Sequence, residues 1–222
     1  GSVAERNFRP HVNCVNITPD QKYLCAVDLG VDQVKIYKFN DETGKITLVD
    51  MLRCELESAP RIIKFSPDGR FAYLICELKN YISVYTYKDG PRGPVFELVQ
   101  TISTLNEYHS KGSAACVLRF SRDWNYVLCS NAGDNSVGIF KIDRETGMLE
   151  KICILPISGD YPKAADFFPD NRHIMALNHE SNTMTIFRIN YEKKYFSLWG
   201  KPLKVETPNC ILVSEIEEAP KQ

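Results

Sequence analysis

The sequence has no apolar run approaching the length of a membrane span, which sets a helical membrane protein aside. It has no CxxC pair and no Cys/His grouping at zinc spacing, although it holds eight cysteines, so neither a metal site nor a disulfide framework is expected. Excess charge of either sign is missing too. There are 27 basic and 28 acidic residues and no basic stripe, so nucleic acid is not an expected partner. The opening residues GSVAERNFRP are polar and contain no apolar h-region, so no signal peptide is expected in them. Cys25, Cys76 and Cys129 lie inside apolar runs, where a free thiol behaves as a small buried hydrophobe. Reduced thiols fit a cytoplasmic protein. No segment sustains a 3.6-residue apolar period, so helices are not expected to build this fold.

What the chain does have is a repeat. ITPDQKYLCAVDLGVDQVKIYKF (17–39), FSPDGRFAYLICELKNYISVYTY (65–87), FSRDWNYVLCSNAGDNSVGIFKI (120–142) and FFPDNRHIMALNHESNTMTIFRI (167–189) share one pattern. Their common aspartate falls at Asp20, Asp68, Asp123 and Asp170, giving spacings of 48, 55 and 47 residues. Propeller blades repeat every ~40–50 residues. Each unit reads as a short strand, a Ser-Pro-Asp-Gly-type turn, a β-branched and aromatic strand, a half-buried alternating strand, and a short outer strand after a hairpin. The expected fold is an all-β propeller forming a single domain over 1–222. Its blades are expected near 10–55, 58–103, 114–156 and 161–205, with the first strand of a further blade at 207–216. Four blades and one strand fall short of a comfortable ring. Remaining blades, missing ahead of residue 1, or another copy are expected to close it. The longer connection Thr104–Gly112, which carries His109, reads as a loop over one face.

PHVN (10–13), DLG (28–30), APR (59–61), SPDGRFAY (66–73), EL (77–78) and QTISTL (100–105) together resemble the lactonase family of seven-bladed propellers. That family includes propeller-type 6-phosphogluconolactonases and a carboxymuconate lactonizing enzyme. The resemblance runs from about Pro10 to Val213 and implies a carboxylic-ester hydrolase that needs no cofactor. It matches Arg61 to the Arg of a GPRH motif, Glu77 to the Glu of an NE motif and Asp28 to the Asp of an ADLG motif. The chain departs from the family where Asn13 replaces the second His of His-x-His and Ile62 replaces the His after Arg61. It departs again where Val117 replaces a Glu, Ala132 an Arg, and Lys163 the Arg of a Pro-Arg motif.

Opening a lactone requires a base for water, donors for the oxyanion and cations for an anionic tail. Seven residues ahead of each repeat aspartate stand Asn13, Arg61, Cys116 and Lys163, which a propeller should gather at its channel entrance. Arg61 suits a carboxylate or phosphate by a bidentate fork and Lys163 by point charge. Arg9, His11 and Asn13 share one face of an extended chain. The expected catalytic set is therefore His11, Asn13, Arg61 and Glu77, with Arg9, Asp28, Lys163 and His179 as substrate-binding residues and no metal. Glu77 reads either as a general base or as an ion-pair partner of Arg61, and Asp28 as a turn cap. The expected ligand is a small anionic lactone or sugar, with 6-phosphogluconolactone as the family's example. Two alternatives are a propeller that binds an anionic metabolite without turnover and a protein-interaction scaffold.

Overall fold

The structure, a computed structural model, describes residues 9–108 and 111–214. Four antiparallel sheets of consecutive strands make a propeller. The first holds β1 (Val12–Ile17), β2 (Tyr23–Asp28), β3 (Gln33–Phe39) and β4 (Ile46–Arg53). The second holds β5 (Pro60–Phe65), β6 (Phe71–Cys76), β7 (Tyr81–Gly90) and β8 (Gly93–Ser103). The third holds β9 (Ala115–Phe120), β10 (Tyr126–Asn131), β11 (Ser136–Ile142) and β12 (Leu149–Pro156). The fourth holds β13 (Pro162–Phe167), β14 (His173–Asn178) and β15 (Thr183–Asn190), with an outer strand split into β16 (Tyr195–Leu198) and β17 (Leu203–Lys204). The first strands of successive blades, β1, β5, β9 and β13, lie side by side. They form the inner wall.

The hydrophobic core lies between blades. On β6, Phe71, Tyr73 and Ile75 pack with blade 3, while Ala72, Leu74 and Cys76 pack with blade 1. On β10, Val127 and Cys129 face blade 2 and Leu128 faces blade 4. A strand buried on both faces needs apolar residues at every position, which is why these segments read as unbroken apolar runs. All eight cysteines are free thiols, and burial pushes those of Cys25, Cys76 and Cys129 up to about 12. Val15 and Ile17 of blade 1, and Leu198 and Trp199 of blade 4, are exposed on faces that meet no other blade among the described residues.

The repeat aspartate owes its recurrence to turn chemistry. Thr18, Ser66 and Ser121 donate their hydroxyls to Asp20, Asp68 and Asp123 at 2.6 Å, and each carboxylate also accepts a backbone N–H two residues on. The next residue in each turn is left-handed: Gln21, Gly69, Trp124 and Asn171 have φ of 59°, 72°, 56° and 55°. Gly147, at φ 73°, is held more tightly, because a Cβ there would lie 2.4 Å from the Phe71 ring. Gly147→Ala is expected to cost about 1–3 kcal/mol by urea denaturation, with the slope of the transition unchanged.

Residues 207–216, expected to open a further blade, form no ladder as far as they are described. A first strand draws its hydrogen bonds from the second strand of its own blade, and no such strand is described here. Ile211 instead lies buried against Ala164 and Leu177. The loop over 104–112 is anchored at its start, where the Asn106 side-chain amide donates to the Ile154 carbonyl at 2.8 Å. Its His109 lies outside the described residues. No helix among the described residues is long and apolar enough to cross a membrane.

Candidate functional site at the channel mouth

Each first strand begins, and each second strand ends, at the same end of the propeller. A β-bulge marks the start of every inner strand. The ladder slips between Val12 and Cys14 in blade 1, between Pro60 and Ile62 in blade 2, between Ala115 and Val117 in blade 3 and between Pro162 and Ala164 in blade 4. The residues left without a ladder partner are Asn13, Arg61, Cys116 and Lys163. A bulge bends its strand and re-aims the extra side chain, and bulges recur beside functional sites. The spacing read from sequence therefore corresponds to one structural device repeated four times. Just ahead of two of these residues, Ala59 and Tyr161 are left-handed, at φ 52° and 60°. Non-glycine residues in that conformation are costly and cluster at functional sites.

Arg61 connects blades 2 and 3. One terminal nitrogen, Nη1, is ion-paired with Glu77 Oε2, and Nε donates to the Cys116 carbonyl at 2.9 Å. Glu77 is only 2% exposed, while the Arg61 side chain keeps 28% of its surface open. A buried carboxylate and a backbone carbonyl thus fix the plane of a guanidinium that still faces solvent. Asn13 reaches toward the same place, its amide donating to the Arg61 carbonyl at 3.4 Å.

Asp28 is fully buried and organises the neighbouring segment. It accepts the backbone N–H of His11 at 2.7 Å and the Lys35 ammonium at 2.9 Å. Burial pushes its carboxyl up, but the His11 N–H, the Lys35 hydrogen bond and charge, and the Gly30 N–H outweigh that and hold it below the usual carboxylate range. A depressed carboxylate pKa stabilises the fold above the unfolded value of about 3.9, and that stability is lost as pH falls through the lower folded value. Thermal unfolding from pH 7 to pH 2 should therefore show parent and Asp28→Asn far apart at neutral pH and converging below about pH 4.

The structure brings His11, Asn13, Arg61, Glu77 and Asp28 into contacts that span blades 1 to 3. His11 is exposed and its backbone carbonyl accepts the Leu29 N–H at 3.0 Å. Arg9 is exposed just ahead of it, and its carbonyl oxygen passes close to Gly30. Lys163 lies on the bulge of blade 4 with its ammonium 5.7 Å from the Tyr161 ring centre, and no contact joins it to Arg61. His179 turns to the Pro208 carbonyl, 3.3 Å away, and shares no contact with the other residues.

Sequence reasoning missed Lys35, the cation on Asp28. It also missed a second polar tier deeper along the inner strands: Asn16, Lys64, Arg119 and Asp166. Counting four residues ahead of each repeat aspartate would have found that tier. Arg119 and Asp166 are ion-paired at 3.5 Å, and the Asn16 amide donates to the Ile63 carbonyl at 3.1 Å. Among the described residues no three His, Cys, Asp or Glu side chains are grouped to hold a metal ion.

A propeller whose inner strands present repeated polar residues at one axial opening is the architecture of many small-molecule hydrolases and binders. The model of the lactonase family, "Lactonase, 7-bladed beta-propeller", matches residues 1–213, and the chain belongs to that family. It is 27% identical over 207 residues to the 6-phosphogluconolactonase of Bacillus subtilis, covering 93% of this chain and 58% of that protein. The solved structure of a periplasmic gluconolactonase from Pseudomonas aeruginosa is similar, with a TM-score of 0.82 and 26% identity over 90% of this chain and 56% of that one. A Lactobacillus plantarum protein of solved structure matches with a TM-score of 0.80 and 27% identity, over 89% of this chain and 57% of that one. The chain thus spans little more than half the length of the relatives it matches.

Proposed function

We propose that this channel mouth opens an anionic cyclic ester, with a sugar lactone such as 6-phosphogluconolactone as the fitting substrate. The observation that carries the reading is Arg61, held in plane by buried Glu77 and the Cys116 carbonyl, on a bulge at the mouth of a lactonase-family propeller. His11 takes a proton from water as the water oxygen bonds to the carbonyl carbon. Asn13 and Arg61 hold the developing oxyanion. The ring C–O bond then breaks, and the leaving alkoxide takes the proton from His11, giving a hydroxy acid. Lys163 and Arg9 supply charge for the phosphate or carboxylate tail. Glu77 acts as the residue that orients Arg61, because its burial and ion pair suit that role better than proton transfer from water. His179 lines the far side of the bound ring, and Asp28 fixes the segment that carries His11.

Removing a general base lowers turnover by about 10²–10⁴-fold. His11→Ala, assayed by loss of 6-phosphogluconolactone above the spontaneous rate, is expected to fall in that range. Unchanged turnover would refute the assignment.

One observation favours a second reading. Asn13 occupies the position of a family histidine, and Val117 and Ala132, both buried, occupy those of a family Glu and Arg. A propeller that binds the hydroxy acid without turnover follows from that set. It predicts thermal stabilisation by 6-phosphogluconate with no loss of lactone.

A further inference from the structure

At the opposite end of blades 2 and 3 a second cavity opens, of about 300 Å³. Both of its walls belong to described blades. Pro67, Phe71, Tyr73, Trp124 and Ile142 form its apolar sides, and Ser66, Asp68, Asp123, Arg70 and Arg144 its polar ones. The volume lies at the lower end of the range for small-molecule sites.

Trp124 is the residue that asks for an explanation. It occupies the left-handed turn position that Gln21, Gly69 and Asn171 fill in the other blades. A bulky aromatic side chain is disfavoured there, and the other blades fill the position with glutamine, glycine and asparagine. Turn geometry alone does not call for tryptophan. The ring stacks on Phe120 with centroids 4.3 Å apart and planes 26° from parallel, and it stays half-buried at the cavity edge.

The polar side is built rather than incidental. Arg70 Nη2 donates to the Arg144 carbonyl at 2.7 Å, bridging the turn of blade 2 to the hairpin of blade 3. Arg70 is neutralised by Asp68 at 2.7 Å and also lies over the Phe71 ring. Arg144 donates Nη2 to the Asp123 backbone carbonyl and forms no ion pair with a carboxylate among the described residues. The Asp123 carboxylate in the same lining is taken up by the Ser121 hydroxyl and by the backbone and side-chain amides of Asn125, which leaves the Arg144 guanidinium without a carboxylate partner among the described residues beside an aromatic wall.

We infer that this cavity is a binding site for a small aromatic carboxylate, its ring against Trp124 and its carboxylate on Arg144. Flat walls select a planar body. A guanidinium with unused N–H groups selects a planar anionic head. The site is separate from the channel mouth, so the inference does not depend on the proposed hydrolysis.

Benzoate is the probe, followed by the Trp124 indole N–H resonance in ¹H–¹⁵N spectra of the full chain. A saturable shift at Trp124 and none at Trp199 is expected, with benzyl alcohol binding about tenfold more weakly or worse. Arg144→Gln should weaken benzoate by a similar factor. Trp124→Gly should abolish binding while leaving the unfolding temperature unchanged or raised, since glycine suits the left-handed position. Three results would each overturn the inference: no saturable shift up to the solubility of benzoate, equal binding of benzyl alcohol, or a sharp drop in unfolding temperature for Trp124→Gly, which would make the ring inter-blade packing.

Discussion

Arg61→Ala is expected to lower stability by about 3 kcal/mol and to reduce lactone turnover below detection. The stability loss comes from Glu77. That carboxylate is 2% exposed and faces the Arg61 guanidinium, so truncating the arginine removes the cation opposite a group that water cannot fully solvate. Removing one partner of a buried pair costs more than the pair itself contributes. The Nε bond to the Cys116 carbonyl disappears with it, loosening blade 2 from blade 3 at the mouth. Two controls separate stability from chemistry. Arg61→Lys keeps the charge but not the fork, so it should recover much of the stability and little of the turnover. Arg61→Ala with Glu77→Gln should be more stable than Arg61→Ala alone, because the buried charge is gone. Urea denaturation and initial rates on the same preparations give both quantities.

Gly30→Ala should have an effect of comparable size through a different cause. A Cβ at Gly30 would sit 1.7 Å from the Arg9 carbonyl oxygen and 3.1 Å from the His11 nitrogen. Backbone cannot yield as a flexible side chain can, so the segment over Arg9–His11 must move outward. That movement breaks the His11 N–H bond to Asp28 and the Leu29 N–H bond to His11. Overpacking of this kind costs about 1–3 kcal/mol or more, and each lost hydrogen bond to a charged group adds to it. Turnover should fall further than stability alone explains, because about 1 Å of displacement can cost about 10²-fold in rate. The measurement is kcat/KM at a temperature where the variant is fully folded by circular dichroism.

The blades were legible because their signals are local. The Ser-Pro-Asp-Gly turns state their own conformation, and β6 and β10 read as buried strands because both of their faces meet a core. The mouth residues could be counted out from the repeat aspartates for the same reason. The bulge that turns them was not legible, since a bulge exists only in the ladder between two strands. Lys35 was missed because its link to Asp28 is diagonal across the β2–β3 ladder, where Ala26 faces Lys35 and Gln33 faces Asp28. The apolar run at 209–213 resembles an inner strand, yet a strand also needs a partner, and that requirement is invisible in the run itself. Arg61 and Glu77 had two readings in sequence, and their ion pair favours the orienting role.

The proposed hydrolysis requires bulge residues from separate blades to act on one bound anion. Its most direct test is the ratio of kcat/KM for 6-phosphogluconolactone to that for uncharged gluconolactone, in the parent and in Lys163→Gln. Lys163 is on blade 4, two blades from Arg61, and its ammonium lies beside the Tyr161 ring, so its loss should leave the fold intact. The predicted result is a drop of about tenfold in the ratio, carried by the phosphorylated substrate, since one charge-assisted contact is worth that much. An unchanged ratio in Lys163→Gln, with both substrates turned over as in the parent, would contradict it.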